Sequence, residues 1–207
     1  GTSSTIFSVV NALLLRPLPF RDPARLVWIV NQEWSMQVDQ YRDLRARNHS
    51  FSDLAGFAGV HAGASALTGA GEPERLTNTT VTCNFFAVLG VQPEIGRSFA
   101  ADECQGRVNS PPVVLLSYGF WQRRFASDRA VVGRTLTVNK KPVRVVGVLP
   151  ASFNFASIFE PGTAVDLFIP WPLTAETNRF GNTLKAIGRL SRNASSDVRV
   201  MAAHSNA

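Results

Sequence analysis

Between Leu26 and Leu190 the apolar residues come in short runs closed by glycine, proline or asparagine, a pattern that restricts the chain to short strands and short helices. Leu26 to Val30 and Val113 to Leu116 are too short for helices and read as buried strands, as do Asp166 to Trp171 and Thr183 to Leu190. Arg75 to Val81 alternates with threonine, and the turn Thr68 to Pro73 folds it back on the glycine-rich segment before it. Arg134 to Val138 and Val143 to Leu149 flank Asn139, Lys140, Lys141 and Pro142 as a second hairpin. Helices fit in three places: after Ser35, with Val38, Tyr41 and Leu44 on one face; after Asn84, over Phe85 to Leu89 with Gly90 as its stop; and after Ser117, carrying Phe120, Trp121 and Phe125. The 207 residues suffice for one domain or two small ones.

No stretch reaches the roughly 18 to 20 uninterrupted apolar residues of a membrane-spanning helix. Ile6 to Leu15 is nonetheless apolar on nearly all sides and stops at Arg16, Pro17, Leu18 and Pro19. It reads either as the tail of a membrane helix or as a buried amphipathic helix, and it lacks the basic leader and cleavage site of a secretory signal. The last residues, from Ser191, are polar and weakly patterned.

Most chemistries are excluded by the residues themselves. No phosphate-binding loop of the Gly-x-x-x-x-Gly-Lys-Ser/Thr type and no Gly-x-Gly-x-x-Gly occurs. His49, His61 and His204 are scattered, so no metal site or cofactor is expected. Ser117 lies between a strand and a helix, but Leu115 stands where a hydrolase elbow needs glycine, so Ser117 reads as a helix cap. Asp102 with Glu103, and Glu72 with Glu74, are read as solvated loop carboxylates rather than an acid–base pair, and no catalytic residue is expected. Cys83 and Cys104 read first as small buried hydrophobes; a bridge is the alternative if the chain is exported.

The net charge is +6, and eighteen of the 21 cations are arginine. Between Trp121 and Arg144, seven cations (Arg123, Arg124, Arg129, Arg134, Lys140, Lys141 and Arg144) face the single acid Asp128. That cluster is either a solvated surface or a contact for an acidic partner or lipid; with no accompanying motif, nucleic acid is not expected.

Six blocks in order resemble one family: Ser4 to Phe20; Gly71 to Arg75; Asn84 to Pro93 with Gly96 to Phe99; Val114 to Phe125; Val132 to Leu136; and Val145 to Pro150. Together they resemble the MacB-like periplasmic core domain of bacterial FtsX-like ABC transporter permeases, most of all the large acidobacterial ones. The resemblance implies an α/β (α+β) fold in which a strand–helix lobe, residues 26–92 and 181–207, is interrupted by a smaller α/β lobe, residues 93–180. Residues 1–25 would be the end of a truncated transmembrane helix with its exit stem. Implied too are a place in the bacterial inner membrane facing the periplasm, an ATPase subunit or chain as partner, a periplasmic adaptor, and a dimer in the full transporter. The function expected is coupling of ATP-driven membrane-helix motion to periplasmic partners or export, without enzymatic activity; the alternative is a sensor domain for a small envelope molecule. Arg16, Arg21 and Arg25 on the outer side run against the positive-inside tendency.

Overall fold

The structure, a computed structural model, describes residues 8–10, 20–30, 35–58, 61–69, 71–105, 112–174, 176–177 and 183–192. Eleven strands form one sheet: β1 (Ser8–Val10), β2 (Leu26–Val30), β3 (Phe51–Phe57), β4 (His61–Thr68), β5 (Glu74–Val81), β6 (Ile95–Gly96), β7 (Val113–Leu116), β8 (Thr135–Val138), β9 (Lys141–Val148), β10 (Leu167–Pro170) and β11 (Lys185–Leu190). Among the described residues four α-helices accompany them: α1 (Val38–Arg47), α2 (Phe85–Leu89), α3 (Tyr118–Phe125) and α4 (Phe155–Phe159). The mixed α+β class expected from the sequence is therefore present.

Strand order runs β1-β2-β11-β3-β5-β10-β7-β9-β8-β4, and β4 pairs again with β5. The last six strands of that order (β5, β10, β7, β9, β8, β4) thus close on themselves, and closure removes the unpaired edges an open sheet would expose. The ring takes strands from both sides of residue 93, so the expected lobes share one sheet.

Continuous apolar runs, rather than alternating ones, are explained by burial on both faces. Within β7, Val114 and Leu116 point into the ring with Leu67, Leu76, Leu136, Val145 and Leu167. Val113 and Leu115 point the other way, into a second core built on Phe57, Phe85, Phe86, Phe153, Phe155, Phe159 and Phe168. Most of its rings meet edge-on or tilted, Phe57 and Phe155 at 5.4 Å and 88° for instance, an arrangement that aromatic quadrupoles favour. A third cluster joins Val38 and Tyr41 of α1 to Ile29, Leu54, Leu184 and Ala186, so α1 covers the face of β2, β11 and β3 opposite the phenylalanine core.

Both expected hairpins form, with β8 and β9 paired Val138↔Lys141 across the turn and β4 and β5 paired Leu67↔Glu74. Ser117 caps α3, its hydroxyl accepting from the Phe120 N–H at 3.2 Å. Ser35 does not cap α1; the cap position is Gln37, whose N–H donates to the Gln40 Oε1 at 3.1 Å. Among the elements that carry no advance signal in the sequence are α4 and the two-residue β6.

Three residues of the opening apolar run are not helical. Ser8–Val10 form β1, antiparallel to β2 with Val9 opposite Ile29. The outer edge of β2 offers unpaired N–H and C=O groups, and the β-branched pair Val9 and Val10 suits an extended backbone that satisfies them. The remainder of Ile6 to Leu15, and Arg16, Pro17, Leu18 and Pro19, lie outside the described residues. Among those described, no helix is long and apolar enough to cross a membrane.

Candidate coupling junction and basic surface

The segment after the stem is fastened to the last strand. Arg25 closes the 3₁₀ turn Pro23–Arg25, and its guanidinium donates to the Leu190 carbonyl through Nε at 2.9 Å and also through Nη2. Arg189 reaches back from β11: its Nε donates to the Val88 carbonyl at 2.6 Å, and its Nη1 meets the Asp22 carbonyl at 3.4 Å. The Val88 oxygen belongs to the last turn of α2, where carbonyls lack helical partners and a cation is favoured. Gly90 ends that helix with φ at +75°, and a Cβ there would lie 2.6 Å from the Arg21 Cβ. Residues 21–25, the end of α2 and the end of β11 thus form one junction against the phenylalanine core. Arg189 is 4% exposed, the one arginine buried among the described residues. Sequence reading did not single it out, although Ile187 and Arg189 share a strand face and an arginine in line with a core residue was the available signal.

The seven cations of the basic cluster separate into two groups. Arg123 and Arg124 are committed to ion pairs: Arg123 pairs with Glu74 at 3.0 Å and Asp166 at 3.1 Å, and Arg124 lies 3.7 Å from Glu74. Glu74 is therefore not the solvated loop carboxylate expected; it joins the β4–β5 turn to α3. Arg134 pairs with Asp128 at 2.8 Å. Arg129, Lys140, Lys141 and Arg144 are exposed, the two lysines at the β8–β9 turn. Thr135 faces Arg144 across that hairpin, so Arg134 and Arg144 are neighbours.

Cys83 and Cys104 are joined by a disulfide across 21 residues, which corrects the reading of them as plain hydrophobes. The loop it closes is gripped a second time. Both oxygens of Glu103 accept from Arg97, at 2.6 and 3.0 Å, and Oε2 also accepts from the Ala100 N–H at 2.7 Å. Burial pushes the Glu103 carboxyl up, but the hydrogen bonds from Arg97 and Ala100 outweigh it and hold the group below the usual carboxylate range. Glu103, too, is structural rather than solvated.

The loop is seated by β6, where Gly96 stands opposite Gly147 of β9. A Cβ on Gly96 would lie 2.3 Å from the Val146 carbonyl oxygen and one on Gly147 2.7 Å from that of Arg97, so two of the blocks quoted above meet at a distance that excludes side chains.

Beside the disulfide is an open cavity of about 440 Å³ lined by Arg45, Asn84, Phe99, Trp171 and Leu173 among others. Asn84, expected as a cap, turns its side-chain amide to the Asp53 carboxylate at 2.8 Å and the Leu54 carbonyl at 2.7 Å. Among the described residues no group of histidine, cysteine or carboxylate side chains could hold a metal ion.

The described residues thus hold ion-paired arginines around α3 and a junction of residues 21–25 with α2 and β11, with no catalytic or metal constellation among them. The family model of the MacB-like periplasmic core domain matches residues 1–204, and the chain belongs to that family, the periplasmic domains of MacB-like ABC transporter permeases. Similar solved structures include the periplasmic region of MacB from Actinobacillus actinomycetemcomitans, at 18% identity and a TM-score of 0.59 over 79% of this chain and 68% of that one. The extracellular domain of the ABC-type transporter YknZ from Gram-positive bacteria is similar at 15% identity and a TM-score of 0.55, over 85% and 86%. A permease-protein domain from Porphyromonas gingivalis follows at 14% and 0.59, over 86% and 80%. These likenesses concern the fold. No curated protein matches the chain. A disulfide agrees with the oxidising compartment in which a periplasmic domain resides.

Proposed function

We propose that the domain is a passive coupling element of an ABC transporter permease: motion of membrane helices, driven by an ATPase subunit or chain, enters through the stem and is passed to periplasmic partners or to exported substrate. The observation that carries this reading is the double tie at the junction, Arg25 to Leu190 and Arg189 to Val88 and Asp22. A force on residues 21–25 is shared at once by β11 and α2, and through them by the phenylalanine core, because packed cores transmit displacement rather than absorb it. The stem Arg16, Pro17, Leu18 and Pro19 supplies stiffness, since each proline fixes φ.

In this reading the lobe of residues 26–92 and 181–207 carries the junction, and that of residues 93–180 carries the contact surface. Arg129, Lys140, Lys141 and Arg144, exposed on the latter, suit an acidic adaptor or a second copy in a dimeric transporter. Arg123, Arg124 and Arg134 support that surface from within their ion pairs. The deciding experiment replaces Pro17 and Pro19 with glycine in the full permease. Transport should fall while ATP hydrolysis continues; transport unchanged beside normal hydrolysis removes the stem from the mechanism.

The second reading is a sensor for a small envelope molecule, favoured by the cavity beside Cys83–Cys104. A ligand at a hundred times its dissociation constant adds about 2.7 kcal/mol of stability. Thermal shift against a panel of envelope metabolites therefore separates the two readings.

A further inference from the structure

Around the junction the cations outnumber their partners. Arg21, Arg25 and Arg189 gather there with Asp22, whose carboxylate is 3.8 Å from Arg25. Exposed Arg192 follows two residues after Leu190. Asp53 stands opposite Arg189 in the β3–β11 ladder, but it gives one carboxylate oxygen to Arg45 and the other to Asn84. Arg189 is left with one guanidinium nitrogen, Nη2, buried and without a hydrogen-bond partner among the described residues. Burial first, then the neighbouring Arg21 and Arg25, lower its proton affinity, which records a positive field that Asp22 does not cancel.

An unpartnered buried guanidinium nitrogen is costly, and an anion would supply both an acceptor for it and the negative charge that the three arginines lack. We propose that Arg21, Arg25 and Arg189 form a site for a phosphate group, whose several oxygens can engage more than one guanidinium fork at once. The carboxylate of Asp22, 58% exposed and 3.8 Å from Arg25, lies at the edge of this site. Two sources carry the same chemistry: the headgroup of a phospholipid beside the stem, and free phosphate. The site rests on the coupling reading only for the choice between them. With a headgroup bound, Arg21 and Arg25, which run against the positive-inside tendency, become together with Arg189 an anchor on the outer leaflet.

The test measures binding of inorganic phosphate to the chain by titration calorimetry, with acetate as the control anion, and flotation with phosphatidylcholine vesicles with and without phosphatidylglycerol. Arg21→Gln alters an exposed residue and leaves the fold in place; Arg189→Lys keeps a cation in the buried position but loses the fork. Each should weaken phosphate binding about tenfold with the melting curve of Arg21→Gln unchanged. Equal losses on phosphatidylglycerol vesicles identify the headgroup as occupant. Phosphate binding that depends on Arg21 without vesicle binding keeps the site, assigns it to free phosphate and counts against the membrane-facing stem. No phosphate binding, or vesicle binding lost only in Lys140→Gln/Lys141→Gln, overturns the proposal.

Discussion

Asp166 accepts from Arg123 through one carboxylate oxygen at 3.1 Å and from the Thr77 N–H through the other at 2.9 Å, so a single side chain ties α3 to β5. Its backbone extends the tie, the amide donating to Thr77 and the carbonyl accepting from Ser117. The two partners of the ion pair are unequal: Arg123 is 55% exposed at its side chain and Asp166 12%. Truncating the buried member should therefore cost more. Asp166→Ala strands the Thr77 N–H and should lower stability by about 2 kcal/mol, whereas Arg123→Ala removes a wet partner and should cost under about 1 kcal/mol. Urea denaturation of both variants measures the difference; equal losses would show that the guanidinium, not the buried acceptor, holds α3.

Tyr41 donates its hydroxyl to the Leu54 carbonyl at 2.8 Å and is fully buried, and burial raises its pKa from 10.0 to about 12. A raised folded-state pKa contributes stability in full below the unfolded value and loses it as pH climbs through the folded one. The contribution of Tyr41 should thus be intact below pH 10 and vanish toward pH 12. An ultraviolet pH titration follows Tyr41, whose ionisation step should coincide with unfolding. In Tyr41→Phe that step should be absent and stability lower by about 1 kcal/mol.

How much of this was readable in advance follows from how local each signal is. The hairpins and α3 were legible because their turns and cap lie within a few residues of what they punctuate: Asn139 and Lys140 both adopt positive φ at the β8–β9 turn. Closure of the ring was not, since it needs β4 to meet β8, and Leu67 stands opposite Val138 across 71 residues of chain that no short-range pattern spans. The basic cluster was visible as composition but not as geometry. Glu74, 49 residues before Arg123, is what sets the ion-paired Arg123 and Arg124 apart from the lysines of the β8–β9 turn. Arg189 escaped for the same reason, its partners Val88 and Asp22 being 101 and 167 residues distant.

The bridge between Cys83 and Cys104 closes 21 residues of chain, for which loop-closure entropy gives a stabilisation of about 3 kcal/mol. The double serine variant, or the reduced wild type, should lose about that amount in urea denaturation, with the denaturant slope raised as the unfolded chain expands. Because Arg97 and Glu103 grip the same loop independently, the reduced chain should still fold. Adding Glu103→Gln to the reduced protein should then exceed the sum of the two single losses if the ties share one loop; strict additivity would show that they act on separate elements.

Gly90 is the most exacting position at the junction, because two demands coincide on it. Its φ of +75° belongs to the left-handed region, where an L side chain carries a penalty of about 1 kcal/mol, and a Cβ there would lie only 2.6 Å from the Arg21 Cβ. Relief of the contact requires the stem segment to move away from α2, which stretches the Arg189 bonds to Val88 and Asp22. Gly90→Ala should therefore cost about 2 kcal/mol, more than the strain alone. Gly133 supplies the control: its φ is +89°, but a Cβ there would meet nothing within 4 Å. Gly133→Ala should lose only the backbone share, about 1 kcal/mol. Thermal melts of the two variants side by side measure the contact itself. In the full permease, transport relative to ATP hydrolysis should fall in Gly90→Ala and hold in Gly133→Ala, because only the former loosens the stem from the core.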